Sequence, residues 1–183
     1  IYDDCFIPSL FRLTERIHQN GGKIFAQLHH AGRMQGKGST SLPAVGASPI
    51  PDPANPIPVR QLAAGEIPGI VQKFVDGALR AQKSGFDGVE IHGAHGYLLA
   101  QFLSAGVNKR TDRYGGSISN RARIVCEIIR AVKEACGPDF PVSVRTSGDE
   151  GYKGGNTIEA AAAQCMLFEQ AGADVIHVSH GTA

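Results

Sequence analysis

The sequence has no tryptophan, only four cysteines, no excess of either charge and no apolar run long enough to cross a bilayer. Its 18 basic and 17 acidic residues leave a formal net charge of +1. Such a balance creates no field that would attract nucleic acid or an anionic membrane, so we expect small-molecule substrates and, at most, further copies of the same chain as partners. The first residues also lack a secretory signal, and the chain starts without Met.

The cysteines Cys5, Cys126, Cys136 and Cys165 lie far apart and show no C-x-x-C spacing. This spacing argues against a zinc site or an iron–sulfur cluster built within the chain. Free thiols are typical of a reducing compartment, so we expect a cytoplasmic protein. With 183 residues, 42% of them hydrophobic, the chain can form a single domain with its own core.

Segments of helical and strand periodicity alternate along the chain. We expect helices over 8–20, 68–84, 120–136 and 157–170, with Asn120 and Thr157 as N-caps, and strands over 23–28, 89–91, 141–145 and 175–179. This alternation predicts an α/β fold with parallel βαβ units. Four strands do not close a (β/α)₈ barrel, which takes roughly 250 residues. The chain is therefore either a small open sheet or part of a larger barrel, and we favour a fragment.

Residues 29–58 form a long connection rich in Gly, Ser and Pro. A structureless connection of this length is uncommon in a compact domain and is usually functional. We expect it to cover a ligand.

The most informative segment is Val89-Glu-Ile-His92-Gly-Ala-His95-Gly-Tyr97-Leu98. It sets two imidazoles and a phenol just past a buried strand, at the carboxyl edge where α/β sheets bind ligands. His92 and His95 could grip one oxygen of a bound molecule, and Tyr97 could deliver a proton beside it. Alternatively, one histidine satisfies backbone carbonyls and Tyr97 packs in the core.

Several separated segments resemble the Old Yellow Enzyme family, whose members use flavin mononucleotide to reduce activated alkenes. They occur in the family's order and span nearly the whole chain: Gly22-Lys-Ile-Phe-Ala-Gln27-Leu-His-His-Ala-Gly-Arg33, His92 to Tyr97, Gln101-Phe-Leu-Ser104, Asn108 to Ser117, Asn120-Arg-Ala-Arg123 and Val144-Arg145-Thr-Ser147. The resemblance implies a (β/α)₈ TIM barrel with FMN across the carboxyl ends of its strands. This chain would supply the third to the sixth strands.

The resemblance also implies roles for two residues at the ends of predicted strands. Gln27 would bind the pyrimidine edge of the flavin, and Arg145 would place a positive charge near flavin N1 and the C2 oxygen. Without the resemblance, Gln27 could satisfy loop backbone and Arg145 could pair with Glu90.

In the same scheme, His92 and His95 would hold the substrate oxygen while hydride passes from flavin N5 to the β-carbon of the double bond, and Tyr97 would protonate the α-carbon. NADH or NADPH would be the reductant. The signature residues Arg110, Asp112, Tyr114, Asn120 and Arg121 suit salt bridges and helix capping, and His30 and Arg33 would shape the site from behind. Two positions depart from the family: Ala105, where Pro is common, and His29, where Ala or an aromatic residue is usual.

The leading hypothesis is an FMN-dependent oxidoreductase that passes hydride from NAD(P)H to an α,β-unsaturated carbonyl or related compound. A metal-dependent hydrolase with His92 and His95 as ligands is an alternative, and a non-catalytic barrel fragment is another. A [4Fe–4S] cluster would have to lie outside this segment. We expect the isolated fragment to be inactive, because half of the barrel is absent from it.

Overall fold

The computed structural model describes residues 1–36, 41–54 and 56–181. Its helices and strands, in chain order, are α1 (Ile7–His18), β1 (Phe25–Leu28), β2 (Ala44–Gly46), β3 (Val59–Gln61), α2 (Ile67–Lys83), β4 (Gly88–Gly93), α3 (Leu98–Leu103), α4 (Ile118–Cys136), β5 (Val142–Asp149), α5 (Ile158–Ala171) and β6 (Val175–His180). The four cysteines are free thiols.

Strands β1, β4, β5 and β6 form one sheet in that order, and every neighbouring pair is parallel. Helices α2, α4 and α5 connect consecutive strands of this sheet. The prediction of an α/β fold with parallel βαβ units is therefore confirmed. Four parallel strands with their connecting helices make half of a (β/α)₈ barrel, which has eight.

One face of the sheet is buried under the helices. Val89, Ile91, Val142 and Val144 on this face are fully buried, and the apolar stripe of α4 packs over them. Side chains alternate between the two faces of a strand, so the residues between these valines and isoleucines point to the other side. In a closed barrel that other side is the lumen.

The lumen face carries polar residues in rows set by the strand register. One row contains Gln27, Glu90 and Ser143, and the next contains His92, Arg145 and His177. The register therefore places three residues of interest to the sequence analysis, Gln27, His92 and Arg145, on one face of the sheet.

Several expected boundaries differ from the structure. His92 does not follow its strand but lies within β4, which runs from Gly88 to Gly93. Helix α4 begins before Asn120: Ser117 is its N-cap, and the Ser117 hydroxyl accepts a hydrogen bond from the Asn120 backbone N–H. Arg145 does not end its strand, because β5 continues to Asp149. By contrast, the Thr157 hydroxyl does cap α5, where it accepts from the backbone N–H of Ala160.

Three short elements were not expected. Helix α3 directly follows the turn that carries His95 and Tyr97. Strands β2 and β3 pair in parallel as a separate ribbon, and β2 lies within the long connection expected to be structureless. Residues 37–40 and 55 of that connection are outside the described part of the chain.

Candidate active site

The turn between β4 and α3 has a left-handed backbone. His95 has φ = 58° and Gly96 has φ = 74°. A residue with a side chain pays a conformational cost there, and such outliers cluster at functional sites. Several hydrogen bonds hold the turn. Among them, the Gln101 amide nitrogen donates to the Gly96 carbonyl (2.7 Å), and the Leu98 N–H donates to the His30 carbonyl (3.0 Å).

The turn brings three side chains together above the carboxyl end of β4. The ring centroids of His92 and His95 are 5.2 Å apart, and those of His92 and Tyr97 are also 5.2 Å apart. His29 joins them from the end of β1, with its ring centroid 5.1 Å from that of Tyr97. The two imidazoles and the phenol of the central motif therefore form one cluster.

Arg145 reaches the same cluster from β5. Its Nη2 donates to the Ser179 hydroxyl (3.3 Å), and that hydroxyl oxygen lies 2.8 Å from His95 Nε2. Ser179 thus links the guanidinium to the imidazole. Among the described residues, Arg145 does not take the alternative role of partner to Glu90. Its guanidinium donates to Ser179, and the Glu90 carboxylate contacts Gln27, Ser143 and His177 instead.

Gln27 lies on the lumen face one row away from His92 and Arg145. Its Nε2 donates to Glu90 Oε1 (2.7 Å). The Gln27 amide thus bonds to a side chain, and not to loop backbone as in the alternative interpretation. The amide is otherwise exposed on this open face.

Burial and neighbouring charge keep both histidines neutral. His92 is only 4% exposed, and this burial, reinforced by the charges of His95 and Arg145, lowers the pKa of His92 to about 4. Burial, followed by the charges of Arg145 and His177, also lowers the pKa of His95. At neutral pH each imidazole therefore has one N–H to donate and one nitrogen to accept, beside the permanent charge of Arg145.

Two buried nitrogen atoms of the site have no hydrogen-bond partner among the described residues: His92 Nδ1 and Arg145 Nε. Buried polar atoms are nearly always paired in folded proteins, so unpaired ones at a cluster of this kind fit a ligand. The donor set suits an isoalloxazine ring, whose pyrimidine edge alternates carbonyl oxygens with an N–H. Gln27 and Arg145 are the residues that would hold it.

The remaining residues of the family-like segments lie in supporting positions. The Arg110 guanidinium is buried, donates to the carbonyls of Ala47 and Leu62 and pairs with Asp112. The Tyr114 hydroxyl donates to Glu127, and Arg121 donates to the Leu103 carbonyl. These contacts fix the loop between α3 and α4.

His30 and Arg33 lie just past the end of β1. His30 Nδ1 accepts from the Gly32 N–H (3.0 Å), and burial is the main cause that lowers the pKa of His30. Arg33 is buried and its Nη1 lies 3.5 Å from the carbonyls of Ile50 and Pro51. Both side chains thus brace the connection that follows β1.

Sequence reasoning missed three residues of the site. His29 follows Gln27 by two positions and Ser179 follows His177 by two, so the alternation of a strand could have placed each beside its neighbour on the lumen face. Gln101 is fully buried and holds the Gly96 carbonyl. No sequence pattern shows that role, because α3 was not expected.

The metal-hydrolase alternative lacks a ligand set in the described ranges. Within residues 1–36, 41–54 and 56–181, no three His, Cys, Asp or Glu side chains are grouped so that they could hold a metal ion. In the same ranges, no helix has both the length and the apolar character needed to cross a membrane.

Comparisons with known proteins agree with the resemblance seen in the motifs. The NADH oxidase of Thermoanaerobacter brockii is 48% identical over 180 residues, which cover 98% of this chain and 28% of that protein. The cinnamate reductase of Clostridium sporogenes is 45% identical over 150 residues, which cover 78% of this chain and 22% of the relative.

The structure of the Old Yellow Enzyme homologue from Zymomonas mobilis superposes with a TM-score of 0.86 at 28% identity, covering 97% of this chain and 53% of that one. The chain therefore spans between about a fifth and a half of the lengths of these proteins. The sequence profile of the NADH:flavin oxidoreductase / NADH oxidase family matches residues 1–183. The chain thus belongs to the NADH:flavin oxidoreductase / NADH oxidase family and forms part of its barrel.

Proposed function

We propose that the protein carrying this chain is an FMN-dependent ene-reductase, which takes hydride from NADH or NADPH and passes it to the activated double bond of an α,β-unsaturated carbonyl or related compound. The observation that carries the proposal is the convergence of His92, His95 and Tyr97 beside Arg145 on the lumen face. The similarity to a cinnamate reductase supports the substrate class, because cinnamate is an α,β-unsaturated carboxylate.

The flavin, when bound, supplies the hydride-carrying group between nicotinamide and substrate. Gln27 would hold its pyrimidine edge through the amide. Arg145 would provide a fixed positive charge there, which favours negative charge on the neighbouring ring atoms. Residues 1–183 would make up one domain, an incomplete FMN-binding barrel that needs the rest of the barrel for activity.

The two neutral imidazoles would bind the substrate oxygen through their N–H groups. Donors aimed at an oxygen that gains charge during the reaction stabilise the transition state more than the ground state. As the β-carbon accepts hydride, electron density moves toward this oxygen and the α-carbon. Tyr97 would then transfer its hydroxyl proton to the α-carbon, which completes reduction of the double bond, and its phenolate would regain a proton from solvent. Oxidation of the nicotinamide belongs to the separate half-reaction that loads the flavin.

We infer the partners, location and assembly of the protein from its composition and from the proposed activity. The substrate and the nicotinamide are small molecules, and neither nucleic acid nor a membrane is expected as a partner. The four free thiols suit a cytoplasmic location. Assembly into a homo-oligomer is compatible with the balanced charge, and any [4Fe–4S] cluster belongs to sequence outside this segment.

The Tyr97→Phe variant of the complete protein tests the proposal. Loss of the proton donor should slow alkene reduction by about 10² to 10⁴-fold, the range typical of a general acid. Reduction of the flavin by nicotinamide needs no proton from Tyr97 and should stay within about twofold. Rapid-mixing kinetics separates the two half-reactions.

The matched control is Tyr152→Phe, because the Tyr152 hydroxyl contacts Ser104 and lies outside the ring cluster. It should leave both half-reactions unchanged. Equal slowing of both half-reactions in Tyr97→Phe, or no slowing of alkene reduction, would remove Tyr97 from the proton transfer.

A further inference from the structure

We propose that Glu90 is a positioning residue for the flavin: it fixes the side-chain amide of Gln27 so that the amide oxygen is left to accept the imide N–H of the isoalloxazine. This inference rests on the proposed function and adds to it a residue with no contact to the cofactor.

Glu90 lies in β4, two residues before His92, and its carboxylate contacts one side chain from each of the other three strands of the sheet. Its Oε1 accepts from Gln27 Nε2 of β1 (2.7 Å). Its Oε2 accepts from the Ser143 hydroxyl of β5 (3.1 Å) and lies 2.9 Å from His177 Nδ1 of β6. The Gln27, Glu90 and Ser143 contacts follow directly from the strand register, in which these residues share one row.

The charge of Glu90 decides the orientation of the Gln27 amide. Burial acts to raise the pKa of Glu90, but the hydrogen bonds from Gln27, His177 and Ser143 outweigh it and hold that pKa below its ordinary value. An ionised carboxylate can only accept hydrogen bonds, so the NH₂ group of the amide must face it. The amide oxygen is thereby turned away from Glu90.

With one N–H committed to Glu90, Gln27 retains one free N–H and one free carbonyl oxygen. This pair is complementary to an imide edge, which offers an N–H beside a carbonyl. Replacing Glu90 by Gln keeps the size of the side chain but lets position 90 donate as well as accept, so the Gln27 amide can take either orientation. Recognition of the imide N–H is then weakened.

The experiment measures FMN affinity of the complete apoprotein by fluorescence titration for wild type, Glu90→Gln, Gln27→Ala and the double variant. We expect Glu90→Gln to weaken FMN binding by about tenfold, as for one well-placed hydrogen bond. The double variant should bind no more weakly than Gln27→Ala, because Glu90 acts through Gln27. FMN methylated at N3 lacks the imide N–H, so for this probe Glu90→Gln and wild type should agree within about twofold.

Ser143→Ala is the matched control, because it removes another donor to Glu90 and leaves Gln27 in place. Its FMN affinity should stay within about threefold of wild type. Glu90→Asp provides a second variant if Glu90→Gln does not fold, because its shorter side chain keeps the charge but holds the Gln27 amide less well. Like Glu90→Gln, it should weaken binding of FMN but not of FMN methylated at N3.

Additive losses in the double variant, or an equal loss with N3-methyl FMN, would show that Glu90 acts only on the stability of the fold and would overturn the inference. If wild type binds FMN and Glu90→Gln binds it equally well, the inference about Glu90 fails while the proposed function stands. If the wild-type protein binds no flavin, the proposed function fails and the inference falls with it.

Discussion

His92 illustrates how strongly a single environment sets the chemistry of this site. Its ring is buried between His95, Tyr97 and Arg145, and its pKa falls from 6.5 to about 4. In the proposed function, the site would therefore bind a substrate oxygen with neutral donors, beside the permanent positive charge of Arg145. Neutral donors of this kind suit an oxygen whose negative charge grows as hydride arrives at the double bond.

The depressed pKa of His92 predicts a loss of stability in acid. Well above pH 6.5 the histidine is neutral in both the folded and unfolded chains, so it contributes no pH dependence there. As the pH falls from 6.5 toward 4, the unfolded chain binds a proton that the folded chain does not, and unfolding is favoured. Between pH 6.5 and 5 this should cost about 1.5 kcal/mol of the free energy of unfolding.

Urea denaturation of the complete protein at a series of pH values measures this loss. The His92→Gln variant should lose less stability than wild type between pH 6.5 and 5, and His180→Gln, which changes an exposed histidine, should behave as wild type. A wild-type stability that is flat or rises over this window would contradict the assigned environment of His92.

The site residues were predictable from sequence to an unequal degree. His92, His95 and Tyr97 lie within six positions of one another, so a single turn brings them together and their cluster could be foreseen. Ser179 is more than 80 residues from His95, and its contact with that histidine depends on the pairing of β5 with β6. A contact of that kind follows from tertiary structure and is not visible in local pattern.

At the scale of whole elements, long periodic segments were predicted well and short ones were missed. Helices α2 and α4 have 17 and 19 residues and carry an apolar stripe that defines them. Helix α5 has 14 residues and is indicated by its alanines and by the N-cap Thr157. Helix α3 has six residues, and β2 and β3 have three each. Elements this short are not stable alone and form because the surrounding fold holds them, so their sequences show little of them.

The start of α4 offers a direct test of a corrected boundary. The Ser117 hydroxyl accepts from the Asn120 N–H and occupies the N-cap that the sequence analysis gave to Asn120. Ser117→Ala should therefore lower the free energy of unfolding by about 1 kcal/mol, the usual value of an N-cap. Asn120→Ala lies inside the helix and should cost less.

Thermal or urea denaturation of the two variants, compared with wild type under one set of conditions, measures the difference. A greater loss for Asn120→Ala than for Ser117→Ala would restore the original boundary and contradict the observed one.

At the scale of the molecule, the sheet ends on each side at a strand that has one neighbour among the described residues. β1 pairs with β4, and β6 pairs with β5. Phe25 of β1 and Val175 and Val178 of β6 are 39%, 48% and 62% exposed. Phe25 and Val175 lie on the lumen face, which the neighbouring strands of a barrel would cover, and Val178 lies on the outer face, which the helices of a barrel would cover.

The exposure of the lumen face is also what half of a barrel would show. Rows of polar side chains point into the space that the remaining strands of a barrel would enclose, and the ring cluster lies at the carboxyl ends of the strands, where barrel enzymes bind their substrates. The fold was predictable because the alternation of strands and helices and the motif order both indicate a partial barrel.

The most direct test of this account is a crystal structure of the complete protein with bound FMN and a phenol as a substrate mimic. We predict that the pyrimidine edge of the flavin contacts Gln27 and Arg145, and that the phenol oxygen receives hydrogen bonds from both His92 and His95, with Tyr97 beside the bound ring. A flavin bound elsewhere, or a phenol oxygen out of reach of both histidines, would contradict the claim that these five residues line one site.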